Sequence, residues 1–328
     1  MKTAIVFDVG GTSIRAGLYV KDQGLQGPII KTNAPNFIDN PLKTELLQEK
    51  FTAGCIEVIE RIREINALDE VPAVGIAFPG PVNGLGEAVY APTLWGNIDK
   101  PYPLKQILCS RLKSCDITVI NDITAAGWRY MEKYHGSFCI ITVSSGVGCK
   151  VFRQGNLLLN DHYFGGELGH HFYSSEYASI PCDCGSFGHI GAISSGRGIE
   201  KLAQFYKQIP KGAFPDSKLW RQDRVLTYDI VKAVAAGDEY ALWLLKESIK
   251  PLSSAIACLY SFIGMDKYVI IGGFATAIGP LYASLLTQEL KKNGLFGLDE
   301  KNIDGMVEMG EPDDEHGLIG MGKYIFGR

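Results

Sequence analysis

A carboxylate, two glycines and a hydroxyl, Asp8-Val9-Gly10-Gly11-Thr12, close the apolar run Ala4-Ile5-Val6-Phe7. The chain then returns from Ser13 to Val20 as a second apolar-rich run. Two runs of this length joined across Gly-Gly read as a β-hairpin. Glycines at its tip let the backbone approach a ligand closely and turn N–H groups toward an anion. Thr12 adds a hydroxyl donor, and Asp8 is suited to a divalent cation, directly or through water. A nucleotide γ-phosphate with Mg2+ requires this set. An ordinary hairpin turn with an incidental Asp would carry the same residues, so later segments must decide.

Strand and helix signals alternate after the hairpin. Pro28-Ile29-Ile30-Lys31-Thr32 suits a third strand, and Asn40-Pro41 is a cap followed by a first-turn proline. The helix it opens places Leu42, Leu46, Leu47, Phe51, Cys55, Val58, Ile59 and Ile62 on one broad stripe. Val71 to Phe78 lacks polar alternation, as a strand covered on both faces does. It ends in Pro79-Gly80-Pro81, a rigid loop at a strand's carboxyl end, where ligand sites of α/β sheets lie. A helix over Leu104 to Leu112 leads to Ile117-Thr118-Val119-Ile120, which stops at Asn121-Asp122. This βββαβα order predicts a mixed sheet flanked by helices.

The order recurs, which predicts an internal duplication. Phe138 to Val143 runs into Ser144-Ser145-Gly146-Val147-Gly148, and Cys149 to Phe152 returns. Gln154-Gly155-Asn156 turns into Leu157-Leu158-Leu159; helices are predicted over Ile193–Tyr206, Asp229–Ala236 and Tyr240–Ile263. Tyr268-Val269-Ile270-Ile271 then meets Gly272-Gly273, a third glycine turn after an apolar strand. Three such turns match a nucleotide clamped between two similar domains. The segment Pro210 to Asp223 reads as an irregular surface loop.

Composition excludes several partners. A net charge of -4 gives no basic footprint for nucleic acid. No apolar run approaches the roughly 20 residues of a membrane span. Asp8 interrupts any apolar core of a signal peptide, and eight scattered cysteines read mostly as buried free thiols. A reducing cytoplasm is expected.

Asp8-Val9-Gly10-Gly11-Thr12, Asn121-Asp122, Glu167-Leu168-Gly169-His170 and Cys182-Asp183-Cys184-Gly185 together resemble the ROK sugar kinases, in order and spacing, from about Ala4 to Ile325. That group holds glucokinases, fructokinases, N-acetylmannosamine kinases and sugar-sensing repressors. The resemblance implies the actin-like ATPase fold of the hexokinase–actin–heat-shock-protein superfamily, with two similar α/β domains and an active site in the cleft between them. It implies an N-terminal domain over 1–120, joined by a C-terminal helix at about 314–328, and a larger domain over 121–313 carrying a zinc loop. It also implies ATP with Mg2+, a small-molecule substrate and a homodimer.

Asn121-Asp122 sits where an apolar strand enters a helix. In a kinase acting on an alcohol, a carboxylate accepts the hydroxyl proton as oxygen attacks the γ-phosphorus in line. The residues alone also suit a helix cap; the resemblance assigns Asp122 as catalytic base and Asn121 to a neighbouring sugar hydroxyl. By the same resemblance Asp8 positions Mg2+, while Gly10, Gly11, Thr12, Ser145 and Gly146 surround the phosphates. Gly272 and Gly273 lie beside the adenosine, and Gly80, Thr93, Glu167 and His170 meet the substrate.

Cys182 and Cys184, one residue apart, suit a thiolate metal site. With His170 and His189 they make the four nitrogen and sulfur ligands that Zn2+ prefers in a closed tetrahedral site. The family pattern is His, Cys, Cys, Cys; this chain has His189 at the last cysteine, and His171 rivals His170. Such a zinc is structural, holding the loop that bears Glu167 and His170.

Two departures fall at sugar-contacting positions of the family. Thr93 stands where Asn is usual, and Gly191 where a Glu grips hydroxyls near the anomeric carbon. Glucose recognition therefore weakens, since an unpaired hydroxyl in a site is costly. The leading expectation is an ATP-dependent kinase of the primary hydroxyl of a hexose or amino sugar. A sugar-like cyclitol or other polyol is the alternative acceptor. A catalytically idle sugar sensor is the reading from another class, and the first strand's start at residue 3 argues against a DNA-binding repressor.

Overall fold

The computed structural model describes residues 2–37, 41–113, 116–207 and 213–327. The chain divides into two compact units. The first comprises Met1–His135, Leu159–Gly165 and Glu315–Arg328, and the second Gly136–Leu158 and Gly166–Asp314.

The first unit is built on β1 (Thr3–Val9), β2 (Ser13–Val20), β3 (Gly24–Asn33), β4 (Ala73–Phe78) and β5 (Ile117–Asn121), in the order β3-β2-β1-β4-β5. β1 pairs antiparallel with β2 and parallel with β4. Both faces of β1 and β4 are covered, which is why their sequences are continuous apolar runs. One face (Ile5, Phe7, Val9) packs in a core with Leu47, Phe51, Cys55 and Ile59 of the helix Thr44–Ile65. Trp95, fully buried against Phe51, Phe78 and Tyr102, anchors the short helix Pro92–Trp95 in that core.

The other face carries small residues because a helix lies almost on the strands. Ala4, Val6 and Ala77 share a core with Leu318, Met321 and Tyr324 of the C-terminal helix His316–Phe326. A Cβ at Gly75 would lie 2.7 Å from Met321 Cγ, one at Gly322 2.3 Å from the Tyr19 ring, and one at Gly320 1.8 Å from the carbonyl oxygen of Ala125.

The second unit repeats the plan with β6 (Phe138–Val143), β7 (Val147–Arg153), β8 (Asn156–Leu157), β9 (Tyr268–Ile271) and β10 (Val307–Met309). The order β8-β7-β6-β9-β10 matches the first sheet strand for strand, with antiparallel β6–β7 and β7–β8 pairs and parallel β6–β9 and β9–β10 pairs. The predicted duplication is therefore present in the backbone. Cys139, Ile141, Val143, Cys149 and Val151 face a core supplied by Leu244, Leu245, Leu252 and Ile256 of the helix Glu239–Ile263. No described helix is long and apolar enough to cross a membrane.

Several elements differ from the sequence expectation. Leu46 is 44% exposed: it adjoins Leu47 around the helix, and only the latter turns inward. Asn40 lies outside the described residues; the helix begins at Thr44. Positions 210–212 of the expected loop also lie outside them. The helix predicted over Ile193–Tyr206 is two helices, Gly191–Ser194 and Gly196–Tyr206. Ser195 breaks it in an extended conformation, its Oγ donating to Gly191 O at 2.6 Å and accepting from Gly198 N at 2.9 Å. A helix periodicity cannot show this, because both halves keep their apolar side inward. β8 stops at Leu157, and β10 was absent from the expected order, being three residues with Glu308 at its centre.

The close approach of the C-terminal helix is testable. Gly320→Ala forces a methyl into a backbone carbonyl that cannot rotate away. It should destabilise the first unit by about 2–3 kcal/mol, the upper part of the range for overpacking. Thermal and urea unfolding beside Ala125→Gly, which leaves that carbonyl in place and fails to rescue, checks this.

Candidate active site

In the first unit the predicted residues cluster at the carboxyl ends of β1, β4 and β5. Asp8 lies opposite Arg15 in the β1–β2 register, and Arg15 Nη2 donates to Asp8 Oδ2 at 2.5 Å. The other side of that carboxylate meets the first turn of the C-terminal helix, where a Cβ at Gly317 would sit 2.5 Å from Asp8 Cγ. A helix N-terminus favours an anion, so Arg15 and the first turn of the helix both offset the charge of an Asp8 carboxylate. In the turn that follows, a Cβ at Gly11 would be 2.7 Å from the methyl carbon of Thr93. Thr12 is exposed, and its carbonyl accepts from Ala34 N.

Gly80 adopts φ 118°, and a Cβ there would lie 2.2 Å from Tyr90 O, so only glycine fits. Its carbonyl accepts from Asn121 Nδ2 at 3.1 Å. Asn121 ends β5 and caps the helix Asp122–Trp128: Oδ1 accepts from Ile123 N and Thr124 N at 3.1 and 3.0 Å. Its second amide hydrogen goes to Asp122 Oδ1 at 2.8 Å. Both amide hydrogens of Asn121 are thus committed within the protein. The cap reading is correct for Asn121, and the side chain it orients is Asp122. Near the same end, buried His316 bonds through Nδ1 to Tyr130 Oη at 2.9 Å.

In the second unit, the Ser144–Gly146 turn, Gly196-Arg197 and Gly272-Gly273 come together. Ser144 O accepts from Gly196 N at 2.7 Å, and Ser145 O accepts from Arg197 Nε at 3.2 Å. Gly272 has φ 101°, and a Cβ there would lie 2.7 Å from Val143 O. Gly146 has open space on its Cβ side. Backbone N–H groups and hydroxyls exposed at such glycine turns are what a polyanion binds.

Glu167 follows Gly166 on the loop over β7, and Lys150 Nζ donates to its Oε1 at 3.1 Å. His170 follows at the end of a single 3-10 turn. A small loop then folds back: Phe172 bridges His189, Pro181 bridges Phe187, and Gly185, at φ 91°, turns the Cys182–Ser186 segment. This brings ligand atoms of His170, Cys182, Cys184 and His189 within 4.8 Å of one another. His171 is not in that set. Cys182 Sγ lies 3.7 Å from His170 Nδ1, and Cys184 Sγ 3.4 Å from His189 Nδ1. Zinc bonds of about 2.3 Å to sulfur and 2.0 Å to nitrogen at tetrahedral angles put S and N roughly 3.5 Å apart. The donors fit that edge. Burial, with the neighbouring His170 and His171 charges, holds His189 below the usual imidazole range, which favours the neutral ring a metal requires.

Arg15, Lys150 and Gly317 are site residues that sequence reasoning missed. Arg15 was legible in principle, as a charge within an apolar strand facing Asp8. Gly191, at the start of its short helix, packs so that a Cβ would be 3.0 Å from Gly169 O.

The ROK family model matches residues 5–325. A C(7)-cyclitol 7-kinase of Streptomyces hygroscopicus subsp. jinggangensis (strain 5008) is 36% identical, covering 99% of this chain and 94% of its own. A 2-epi-5-epi-valiolone 7-kinase of Actinoplanes sp. (strain ATCC 31044 / CBS 674.73 / SE50/110) is 26% identical over 97% and 91% of the two chains. Among solved structures, a ROK family glucokinase from Streptomyces griseus in complex with glucose and AMPPNP is similar, with a TM-score of 0.74 and 21% identity over 98% of each chain.

The cap geometry predicts a graded outcome. Asn121→Ala removes the acceptor for two helix N–H groups and should cost about 1–2 kcal/mol. Asn121→Ser, which keeps a capping oxygen, should recover at least half of the loss in the unfolding midpoint.

Proposed function

We propose that this chain, which belongs to the ROK family and is a kinase of sugars or sugar-like alcohols, takes a cyclitol bearing an exocyclic primary hydroxyl as its acceptor. The observation that carries the choice of acceptor is the 36% identity, spread over 99% of the chain, to a kinase of a C(7)-cyclitol. The site supports it. Gly191 removes a carboxylate and Thr93 replaces an amide that hexose kinases of the family use, and Gly191 packs too near Gly169 for a larger residue to enter without movement. Of the two kinase expectations, the cyclitol is thus favoured over the hexose.

In this mechanism Asp122, oriented by Asn121, accepts the proton of the acceptor hydroxyl. The hydroxyl oxygen bonds to the γ-phosphorus as the bridging oxygen between β- and γ-phosphorus departs with ADP. Gly10, Gly11, Thr12, Ser145 and Gly146 would offer N–H and hydroxyl groups to the phosphates. Gly272 and Gly273 would lie beside the adenosine. Gly80, Thr93, Glu167 and His170 contact the acceptor. Asp8, one oxygen of which accepts from Arg15, would help hold Mg2+, which would supply charge neutralisation to the phosphates.

His170, Cys182, Cys184 and His189 would hold one Zn2+ with a structural role, all four positions being protein ligands. The seven described cysteines are free thiols, which fits a reducing compartment.

An ADP-release assay over cyclitols, hexoses and N-acetylhexosamines tests the acceptor: a cyclitol should give the highest kcat/KM, and glucose as the best acceptor would refute the proposal. In the same assay Asp122→Asn should lower kcat by about 100- to 10,000-fold, the usual worth of a general base, with acceptor binding by calorimetry within threefold. Turnover within threefold of wild type would leave Asp122 as a helix residue only.

Metal analysis of protein purified without added zinc should find one Zn2+ per chain. It should be lost in Cys182→Ser/Cys184→Ser, with a lower unfolding midpoint. A metal content unchanged by that double substitution would reject the site.

A further inference from the structure

Lys150 is a charged side chain in the middle of an otherwise apolar strand. It lies in β7 opposite Ile140 of β6, between Cys149 and Val151, and its side chain is only 6% exposed. Burying an ammonium is costly unless a counter-charge and hydrogen bonds receive it. A counter-charge is supplied by Glu167, whose side chain is 48% exposed. That asymmetry carries the inference. A buried cation has been set beneath a carboxylate that stands half in water.

The backbone leaves Glu167 little freedom. Gly166 has φ 72°, and a Cβ there would lie 2.1 Å from Cys149 O; a Cβ at Gly169 would lie 2.1 Å from Val147 O. Two residues without side chains therefore lay the segment 166–169 directly on β7, with Glu167 between them. Among the described residues, Lys150 is the one hydrogen-bond partner of the Glu167 carboxylate, through Oε1. Oε2 is left as an acceptor on a side chain that is half exposed. The next residues reach His170, whose N–H donates to Glu167 O at 3.0 Å.

We propose that Lys150 is a positioning residue for acceptor recognition. Its ammonium fixes Oε1 of Glu167 and so presents Oε2, in one orientation, to a hydroxyl of the polyol acceptor. This rests on the kinase function proposed above. A free glutamate side chain would lose rotamer freedom on binding each acceptor; here that ordering is completed on folding, and the gain appears in acceptor affinity.

The experiment compares wild type, Lys150→Met, Lys150→Arg, Glu167→Gln and the Lys150→Met/Glu167→Gln double variant. With the best acceptor of the panel, Lys150→Met should raise the acceptor KM about tenfold, leaving kcat and the ATP KM within threefold. Lys150→Arg, which restores a cation, should bring the acceptor KM back to within about threefold of wild type. The double variant should be no worse than Glu167→Gln alone. An unchanged acceptor KM in Lys150→Met, a fall confined to kcat, or multiplicative effects in the double variant would overturn the proposal while leaving the kinase function intact. Thermal unfolding of the same proteins reads the pair without any substrate: Glu167→Gln takes a carboxylate away from a buried ammonium and should melt below the double variant. Additive melting shifts would reject the pairing. A wild type that phosphorylates no acceptor would instead overturn the kinase proposal, and the acceptor role of Lys150 with it.

Discussion

The first unit depends on a helix that packs against a sheet and a second helix at distances no Cβ permits. Gly75, Gly320 and Gly322 clear the path of the C-terminal helix across β1, β2 and β4, and Gly317 brings its first turn against Asp8. The same packing thus stabilises the core and completes the surroundings of the carboxylate at the end of β1. Dispersion and apolar burial hold the helix down, while the dipole of its first turn and Arg15 hold Asp8. Moving the helix outward by one methyl group would loosen both.

The second unit uses the device for a different purpose. Gly166 and Gly169 lay a loop on β7, and Gly272 lays another on β6. The repeated sheet order shows one scaffold used twice, with an apolar strand ending in a glycine turn in each copy. What distinguishes the copies is their additions: the first carries Asn121-Asp122, the second the Glu167 loop and the four metal-type ligands. Side-chain hydrogen bonds set each addition in place. The Asn121 amide bonds to Gly80, the helix N-terminus and Asp122; the Lys150 ammonium bonds to Glu167.

Much of this was legible in the sequence because the signals are local. The hairpin around Gly10-Gly11, the unbroken runs of β1, β4 and β6, and the Cys182–Cys184 spacing are each set within a few residues. Other features had no local signal. The break at Ser195 depends on Gly196 N reaching Ser144 O, some fifty positions away in the chain. β10 forms because β9 offers it an edge, not because Val307-Glu308-Met309 prefers strand. Leu46 and Leu47 both fit an apolar stripe, and only the position of the sheet decides which is buried.

Sequence alone determined the chain's repeated α/β order, its glycine turns and the residue types of its chemistry, since backbone preference and apolar period act over short separations. It also supplied the four metal-type ligands as a set. The tertiary structure decided which residues meet. It made Asn121 a clamp on Asp122, set Gly317 against Asp8, and placed the Lys150 ammonium beneath Glu167. Such pairings join residues far apart in sequence, and their energies depend on burial and on distances of a few ångströms. Neither quantity exists until the chain has packed.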